Sequence, residues 1–345
     1  MGLLSWLGFG QSGSLRSPWS PPSNLSQLTV AEIWGEDIAR SLPLDRSVAI
    51  SVPSVSRGRN LLVGAIEQYP LVALDSFGIV QQQPTWLYRT DGDVTPQERI
   101  AWTVDDLIFH GVSLWLVTRG ASGQILTAEW CPRDNWRIYD GELMVREPGT
   151  VEWWEKDEGE YILINSPFEG LLNVASRTIR GAISTEEAWV GRMRNPIPLI
   201  ELKVTDDSEL DDGEIKDQVI TWAKARTGVN GAVSWTPPGI EVRTHGEVKA
   251  DLYTEGRNAI RTDIGNYLNI PTSMMDGSLA EASLTYQTTE GVRNRFQAES
   301  IPFWTQPIEA ALSMDNVVPR GTRIRFDRSA DYAPIPPSTG IPVED

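Results

Sequence analysis

Two stretches of three- and four-residue apolar spacing, held apart by the insert 195–245, constrain this chain more than any other feature of its sequence. Leu172, Ala175, Ile179, Ile183, Val190 and Met193 lay one apolar stripe along a helix expected over 170–194. The opposite face carries Arg177, Arg180, Glu187 and Arg194, and Asn195-Pro-Ile-Pro ends the helix because proline cannot continue the backbone ladder. Val248, Leu252, Ala259, Ile260, Ile264 and Leu268 repeat the pattern over 248–269, with Asp251, Glu255, Asn258 and Thr262 opposite and Pro271 as the stop. The insert reads as a strand at Ile197–Val204, the acidic run Asp206–Glu214, a short helix about Glu214–Arg226, and strands about Ala232–Trp235 and Ile240–Arg243. Two long helices flanking a small α/β insert predict a stalk with something at its tip.

The flanking sequence reads as α+β. Thr29 caps a helix through Ala39, with Glu32 completing a capping box. Further helices are expected over about Val55–Gln68 and from Pro96 to His110, with a strand at Tyr69–Leu74 between them. Short strands follow at Val112–Thr118, Ile125–Trp130, Trp136–Tyr139, Leu143–Glu147 and Tyr161–Ile164, with Gly120, Gly123 and Gly141 marking turns. Residues 272–282 read as a loop. A third long helix starts near Ser283, interrupted at Pro302 and Pro307, and the strand Arg323–Phe326 closes the ordered part. Residues 1–28 read as a flexible Gly/Ser/Pro arm, and Ala333-Pro-Ile-Pro-Pro-Ser-Thr-Gly-Ile-Pro342 can form neither helix nor central strand.

Composition argues against most chemistry. A single Cys131 excludes a disulfide framework and a paired-cysteine zinc site, and the two histidines, His110 and His245, are far apart in sequence. Cys131, between Trp130 and Pro132, reads as a buried bystander. Gly8-Phe-Gly-Gln-Ser-Gly13 fits the dinucleotide fingerprint in letters alone, since it has no room for a preceding strand and is followed by prolines. Glu201-Leu-Lys203, Glu214-Ile-Lys216 and Glu247-Val-Lys249 match half of a nuclease signature, but no upstream Pro-Asp pair completes it; they read as solvated ion pairs. There is no P-loop, nucleophile elbow or His-Glu-x-x-His motif. No apolar run reaches the length of a membrane span, and the amino terminus lacks a signal peptide's positive region, so the chain reads as soluble and intracellular at synthesis. The expectation is a non-enzyme without cofactor or metal. The acidic run Asp206–Glu214 supports two readings, a solvated loop favouring the next helix's amino terminus or a docking surface, and both stay open.

The segment Arg46-Ser-Val-Ala-Ile-Ser-Val-Pro-Ser-Val-Ser-Arg-Gly-Arg-Asn-Leu-Leu-Val-Gly-Ala-Ile-Glu-Gln-Tyr-Pro-Leu71 resembles the amino-terminal signature of HK97-like portal proteins of tailed phages. His110-Gly-Val-Ser-Leu-Trp-Leu-Val resembles that family's His-Gly-Asn strand, with Val112 replacing the Asn. Tyr267-Leu-Asn-Ile-Pro271 resembles its Gly-Val-Pro helix end, and Ala282-Ser-Leu-Thr-Tyr-Gln-Thr-Thr-Glu290 resembles the opening of its long helix. The four stretches stand in the family's order within about 29–328.

The resemblance implies a portal fold: an α/β wing (29–169 and 284–328), a two-helix stem (170–194 and 247–270), a clip (195–246), a tunnel loop (271–283), a reduced or absent crown and a tail at 329–345. It implies a homo-oligomeric ring, usually of twelve subunits, at one capsid vertex, through which double-stranded DNA is packaged and later ejected without sequence preference. It places Met274, Met275, Asp276, Gly277, Ser278 and Glu281 in the channel, and Lys249, Asp251, Glu255, Arg257 and Arg261 in the stem lumen or between subunits. Asp206, Asp207, Glu209, Asp211, Asp212 and Trp222 fall on the clip's docking face. Partners would be identical copies, the major capsid protein, the terminase large subunit and a head–tail adaptor, with no membrane; the location would be the virion, after assembly in the host cytoplasm. With 47 acidic against 30 basic residues, the formal charge of −17 opposes DNA gripping, which needs Lys and Arg at the phosphates. The rival readings are a nuclease-type component of the packaging machinery and a different head–tail connector ring.

Overall fold

The computed structural model describes residues 44–90, 92–194, 199–204, 240–245, 254–275 and 286–332, with positions 213, 216, 217, 219 and 220 besides. The helix expected at 29–39, the dinucleotide-like arm, the acidic run 206–212 and the tail after 332 lie outside the described residues. Contacts divide the chain into two units, one formed by residues up to Ile179 together with those from Ile260 onward, the other by Arg180–Ala259.

Local chemistry sets the elements of the first unit. Asp45 caps α1 (Arg46–Ile50) by accepting from the Val48 amide. The next helix, α2 (Pro53–Ile66), begins on a proline, whose missing N–H would be unpaired in a first turn anyway. β1 (Leu71–Asp75) and β2 (Gly78–Ile79) form a hairpin, and the short α3 (Thr85–Tyr88) leads to α4 (Pro96–His110). A full capping box starts α4: Thr95 Oγ1 accepts from the Glu98 amide at 3.2 Å, and Glu98 Oε2 accepts from the Thr95 amide at 2.8 Å. Gly111, at φ 74°, ends it. A side chain there would meet Phe168 O at 2.4 Å, and one at Gly170 (φ 86°) would meet Phe109 O at 2.7 Å, so two glycines let the helix end and the loop 166–170 touch backbone to backbone.

Strands β3 (Val112–Arg119), β4 (Ile125–Cys131), β5 (Trp136–Tyr139), β6 (Glu142–Val145), β7 (Trp154–Lys156) and β8 (Tyr161–Asn165) make two antiparallel sheets, β4–β3–β8 and β5–β6–β7. β7 escaped the sequence reading because three residues are too few to show a period-two pattern. Then come α5 (Leu171–Val174) and α6 (Ser176–Arg194), so the single helix expected over 170–194 is two, parted at Ala175, whose φ of −106° is not helical. Strands β9 (Leu199–Val204) and β10 (Ile240–His245) pair antiparallel from Leu199↔His245 to Val204↔Ile240.

The chain continues with α7 (Thr254–Tyr267), α8 (Thr272–Met275), α9 (Tyr286–Arg295), a π-helical turn at Phe296–Ser300, α10 (Ile301–Leu312) and β11 (Arg323–Phe326). The expected interruptions at Pro302 and Pro307 do not occur. Pro302 falls in the first turn of α10, just after the widened π turn in which the Ile301 amide reaches back to Phe296 O, and Pro307 lies inside the helix. β11 returns to pair with β1, from Leu71↔Phe326 to Leu74↔Arg323, so the far end of the chain completes the sheet begun near its start. The outer edge of β11 is closed by side chains of α10 and of Ser313, which caps it: the Ile324 amide donates to Ser313 Oγ at 2.8 Å and the Phe326 amide to Glu309 Oε1 at 3.0 Å. That satisfies backbone groups which an open sheet edge would offer to other strands.

The core centres on α4, buried at almost every position from Arg99 to Phe109 and packed between α2 and β3. Three of its buried residues are ionisable. Arg99 donates to Trp86 O at 2.8 Å, Leu87 O at 3.0 Å and Ala128 O at 2.5 Å, and lies 4.3 Å over the Trp115 ring; burial lowers its pKa to about 10. Asp105, fully buried, accepts from Arg46 Nε at 2.6 Å, Arg46 Nη2 at 2.9 Å and Arg59 Nε at 2.7 Å, which clamps α1 and α2 onto α4. Asp106 Oδ2 accepts from Ser113 Oγ at 2.9 Å and Trp130 Nε1 at 2.7 Å, while its Oδ1 has no hydrogen-bond partner. Burial pushes Asp106 up to about 8 and holds His110, also crowded by Arg133, down at about 4. Cys131 is buried and pushed up to about 12, an inert thiol as expected.

Two predictions follow from this polar core. Replacing Asp105 by Ala strands two half-buried guanidiniums and should cost about 3–5 kcal/mol in urea unfolding, the usual penalty for breaking a buried pair by removing one partner. The second concerns pH. Native Asp106 keeps its proton between about 4 and 8 while the unfolded chain has lost it, so Asp106 lowers stability as pH rises through that window. Native His110 stays neutral where the unfolded imidazole charges, so it raises stability as pH climbs from about 4 to the ordinary value of 6.5, offsetting Asp106 there. Among the described groups with a shifted pKa, Asp106 is the one that acts between 6.5 and 8. The urea midpoint should fall from pH 6.5 to 8 in the parent protein and stay level in Asp106→Asn.

Candidate functional site

The residues sequence reasoning marks for function fall on α7, α8 and the segments around them. Helix α7 ends in a Schellman motif: the Ile270 amide donates to Gly265 O at 2.9 Å and the Asn269 amide to Asn266 O at 3.2 Å, with Asn269 left-handed at φ 55° and Pro271 following. Asparagine takes that φ because its short polar side chain tolerates the left-handed region better than most. The carbonyls this end leaves over are taken by the helix on the far side of the loop. Trp304 Nε1 donates to Leu268 O at 3.0 Å, Ser300 Oγ to Asn269 O at 2.5 Å, and Asn269 Nδ2 to Glu299 O at 3.3 Å. The widened π turn at Phe296–Ser300 therefore supplies both Ser300 and the Glu299 carbonyl.

Two glycines let this corner seat against α2. A side chain at Gly58 would come within 2.3 Å of Leu268 Cδ1 and 3.5 Å of both Ile270 Cδ1 and Met275 Cε; one at Gly265 would meet Met275 Cγ at 3.0 Å. Leu268, Ile270 and Met275 are buried there, and Arg57 reaches over to Met274 O at 3.3 Å. Met275 is thus a core residue on the short helix α8, which corrects its expected place in a channel-facing loop: an apolar side chain beside two glycines gains more by packing than by facing water. Met274 is half-buried on the same helix. Asp276, Gly277, Ser278 and Glu281 lie outside the described residues. The described residues of this corner form a platform fixed by packing and hydrogen bonds.

In the second unit, Arg257 on α7 pairs with Glu186 on α6 at 3.4 Å and lies 5.1 Å over the Trp189 ring. Both side chains of the pair are partly exposed, so it contributes ~0–1 kcal/mol. Arg257, expected in the stem lumen or between subunits, thus has a carboxylate partner within its own chain, presented by α6. Glu255 is exposed, and Arg261 is half-buried and engaged. Lys249, Asp251, Asp206, Asp207, Glu209, Asp211, Asp212 and Trp222 are outside the described residues. Ile264 and Leu268 are buried as the apolar stripe requires, whereas Ile260, Ile183 and Val190 are only half-buried and Ala259 is exposed. Among the described residues, each stripe is buried towards one end and half-buried or exposed further along.

Comparison with family models and with curated proteins finds no match to the chain. Among solved structures it is similar to the HK97 family phage portal protein from Corynebacterium diphtheriae, with a TM-score of 0.71 and 27% identity over 85% of this chain and 98% of that one. The fold is that of a phage portal protein. The same fold, at far lower identity, is found in the neck of an empty gene transfer agent particle computed with C6 symmetry (TM-score 0.57, 15% identity, 83% of this chain and 85% of that one). It is found again in the virion of the native particle (TM-score 0.57, 13% identity, 94% of this chain and 89% of that one). Two of the stretches that carry the portal resemblance in sequence, 46–71 and 267–271, meet in space where Gly58 receives Leu268 and Ile270.

Sequence reasoning missed Gly58, Gly265, Asn269, Ser300 and Trp304. The signal was present in part: a glycine in mid-helix costs about 1 kcal/mol against alanine and marks a close approach when it persists. The portal platform predicts a graded response at Asn269. Asn269→Gly should leave the thermal midpoint within the scatter of the parent, whereas Asn269→Val should lower stability by about 1–2 kcal/mol, because a β-branched residue resists left-handed φ. In the same melting experiment, Gly58→Leu should cost about 1–3 kcal/mol by overpacking against Leu268.

Proposed function

We propose that this chain is the subunit of a portal ring at one vertex of a phage capsid, a conduit for double-stranded DNA during packaging and ejection, acting without catalysis. The single observation that carries the reading is the match to an HK97 family portal protein along 98% of that protein's length. Two features of this chain support it. The apolar stripes on α6 and α7 stay half-open in one chain, as they would if neighbouring copies covered them. The formal charge of −17 per chain sums to on the order of −200 in a ring of twelve, so the assembly repels a polyanion instead of neutralising it. Repulsion decays over about a Debye length, ~8–10 Å, which keeps a duplex off the wall without pinning it.

In this reading, the exposed Glu255 belongs with Asp251 to the side of α7 that faces the passing DNA. The loop after Met275 narrows the channel from the platform formed by Gly58, Asn269 and Ser300. The acidic run 206–212 is the docking face for the terminase and then the head–tail adaptor, and the first unit contacts the capsid. Carboxylates that keep DNA sliding should be needed for packaging. Asp251→Asn combined with Glu255→Gln should slow or stall genome packaging, and an unchanged yield of filled heads would refute a lumen role. Deleting 276–281 should spare ring assembly yet impair genome retention, scored by the ratio of empty to filled particles; normal virions would contradict the loop's assignment.

A further inference from the structure

The first unit contains a cavity of about 640 Å³ that the portal reading does not use. It opens beside the β4–β3–β8 and β5–β6–β7 sheets, with Leu116, Val117, Trp130, Val145 and Trp154 as its apolar wall and Pro148 exposed at its edge. Its floor is firm, because Cys131 and Val145 belong to the buried cluster that includes Leu114, Trp136 and Leu143. An apolar, tryptophan-lined groove of this size is suited to a short extended segment rich in proline, which fits such grooves at low entropic cost because the strand is already ordered.

The chain carries such a segment just beyond its described end. Ala333-Pro-Ile-Pro-Pro-Ser-Thr-Gly-Ile-Pro342 has no charged residue and spaces Pro334 and Pro337 as in a Pro-x-x-Pro ligand; its acids, Glu344 and Asp345, come after it. The lining carries five carboxylates against three cations, Arg119, Arg146 and Lys156, so it is acidic on balance and an uncharged stretch enters more readily than the acidic residues that follow it. The segment starts from a fixed point, since Asp331 Oδ2 accepts from Tyr69 OH at 2.6 Å. The groove is tied to the same part of the fold: Arg119, on its wall, donates to Asn316 O at 2.7 Å in the loop that precedes β11. At about 3.1 Å per residue, residues 333–342 span up to ~30 Å when extended, comparable to the diameter of a small domain.

We propose that this groove is the docking site of the chain's own segment 333–342. The reading is independent of ring formation, because it concerns two parts of one polypeptide. It is tested on the full-length protein with photoreactive benzoyl-phenylalanine in place of Pro148, followed by illumination, digestion and mass spectrometry. The expected product joins position 148 to a peptide from 333–342. Its yield should fall about tenfold when Pro334→Ala, Pro336→Ala and Pro337→Ala are combined, which removes the pre-ordering of the segment, while the melting curve stays unchanged. Crosslinks to residues 1–31, crosslinks to the exposed Phe77 hairpin of a second copy, no crosslink at all, or a yield indifferent to the three prolines would each overturn the proposal.

Discussion

A carboxylate that water does not reach organises the first unit. Asp105 gains nothing from solvent, so its place in the core depends on the two arginines that arrive from α1 and α2. Removing either ion from water costs several kcal/mol, and the attraction between them repays this only when the geometry is good and the hydrogen bonds are complete. Here three short N–H donations meet one carboxylate, and the position of α2 is fixed relative to α4. That placement matters further along the chain, because α2 presents Gly58 to the end of α7. Electrostatics in the core thus decides where the platform of the following loop can form.

The platform shows how backbone bookkeeping and packing cooperate. A helix end leaves carbonyls without partners, and here they are claimed by Ser300 and Trp304 from the helix on the other side of the loop. The π turn at Phe296–Ser300 belongs to this arrangement, since its residues provide both Ser300 and the carbonyl that receives Asn269 Nδ2. The end of α7 and the turn that leads into α10 are therefore tied to one body.

Much of the architecture could be read from residue order. Proline and glycine punctuation located the ends of α4, and short apolar runs bounded by turn residues located most strands, because those signals are local. The prolines at 302 and 307 misled, since a widened turn and a buried helix tolerate what an isolated helix would not. The break at Ala175 left no trace because Ala175 itself continues the apolar stripe. For the site, the general region was legible and the particular contacts were not. Met275 looked like a loop residue until Gly58 and Gly265 were seen to receive it, and nothing local to Arg257 points to Glu186 as its partner. Such contacts join residues far apart in sequence, and no single-segment pattern encodes them.

At the centre of this account is one claim, that the chain closes a ring whose acidic bore lets a polyanion slide. Mass measurement of the purified full-length protein, read together with electron micrographs of the same sample, addresses it most directly. The account predicts one closed oligomer, near twelve copies as in the portal family it resembles, with a central hole wide enough for a duplex. Protomers that never assemble, within virions as well as in solution, or closed particles with no hole, would contradict it.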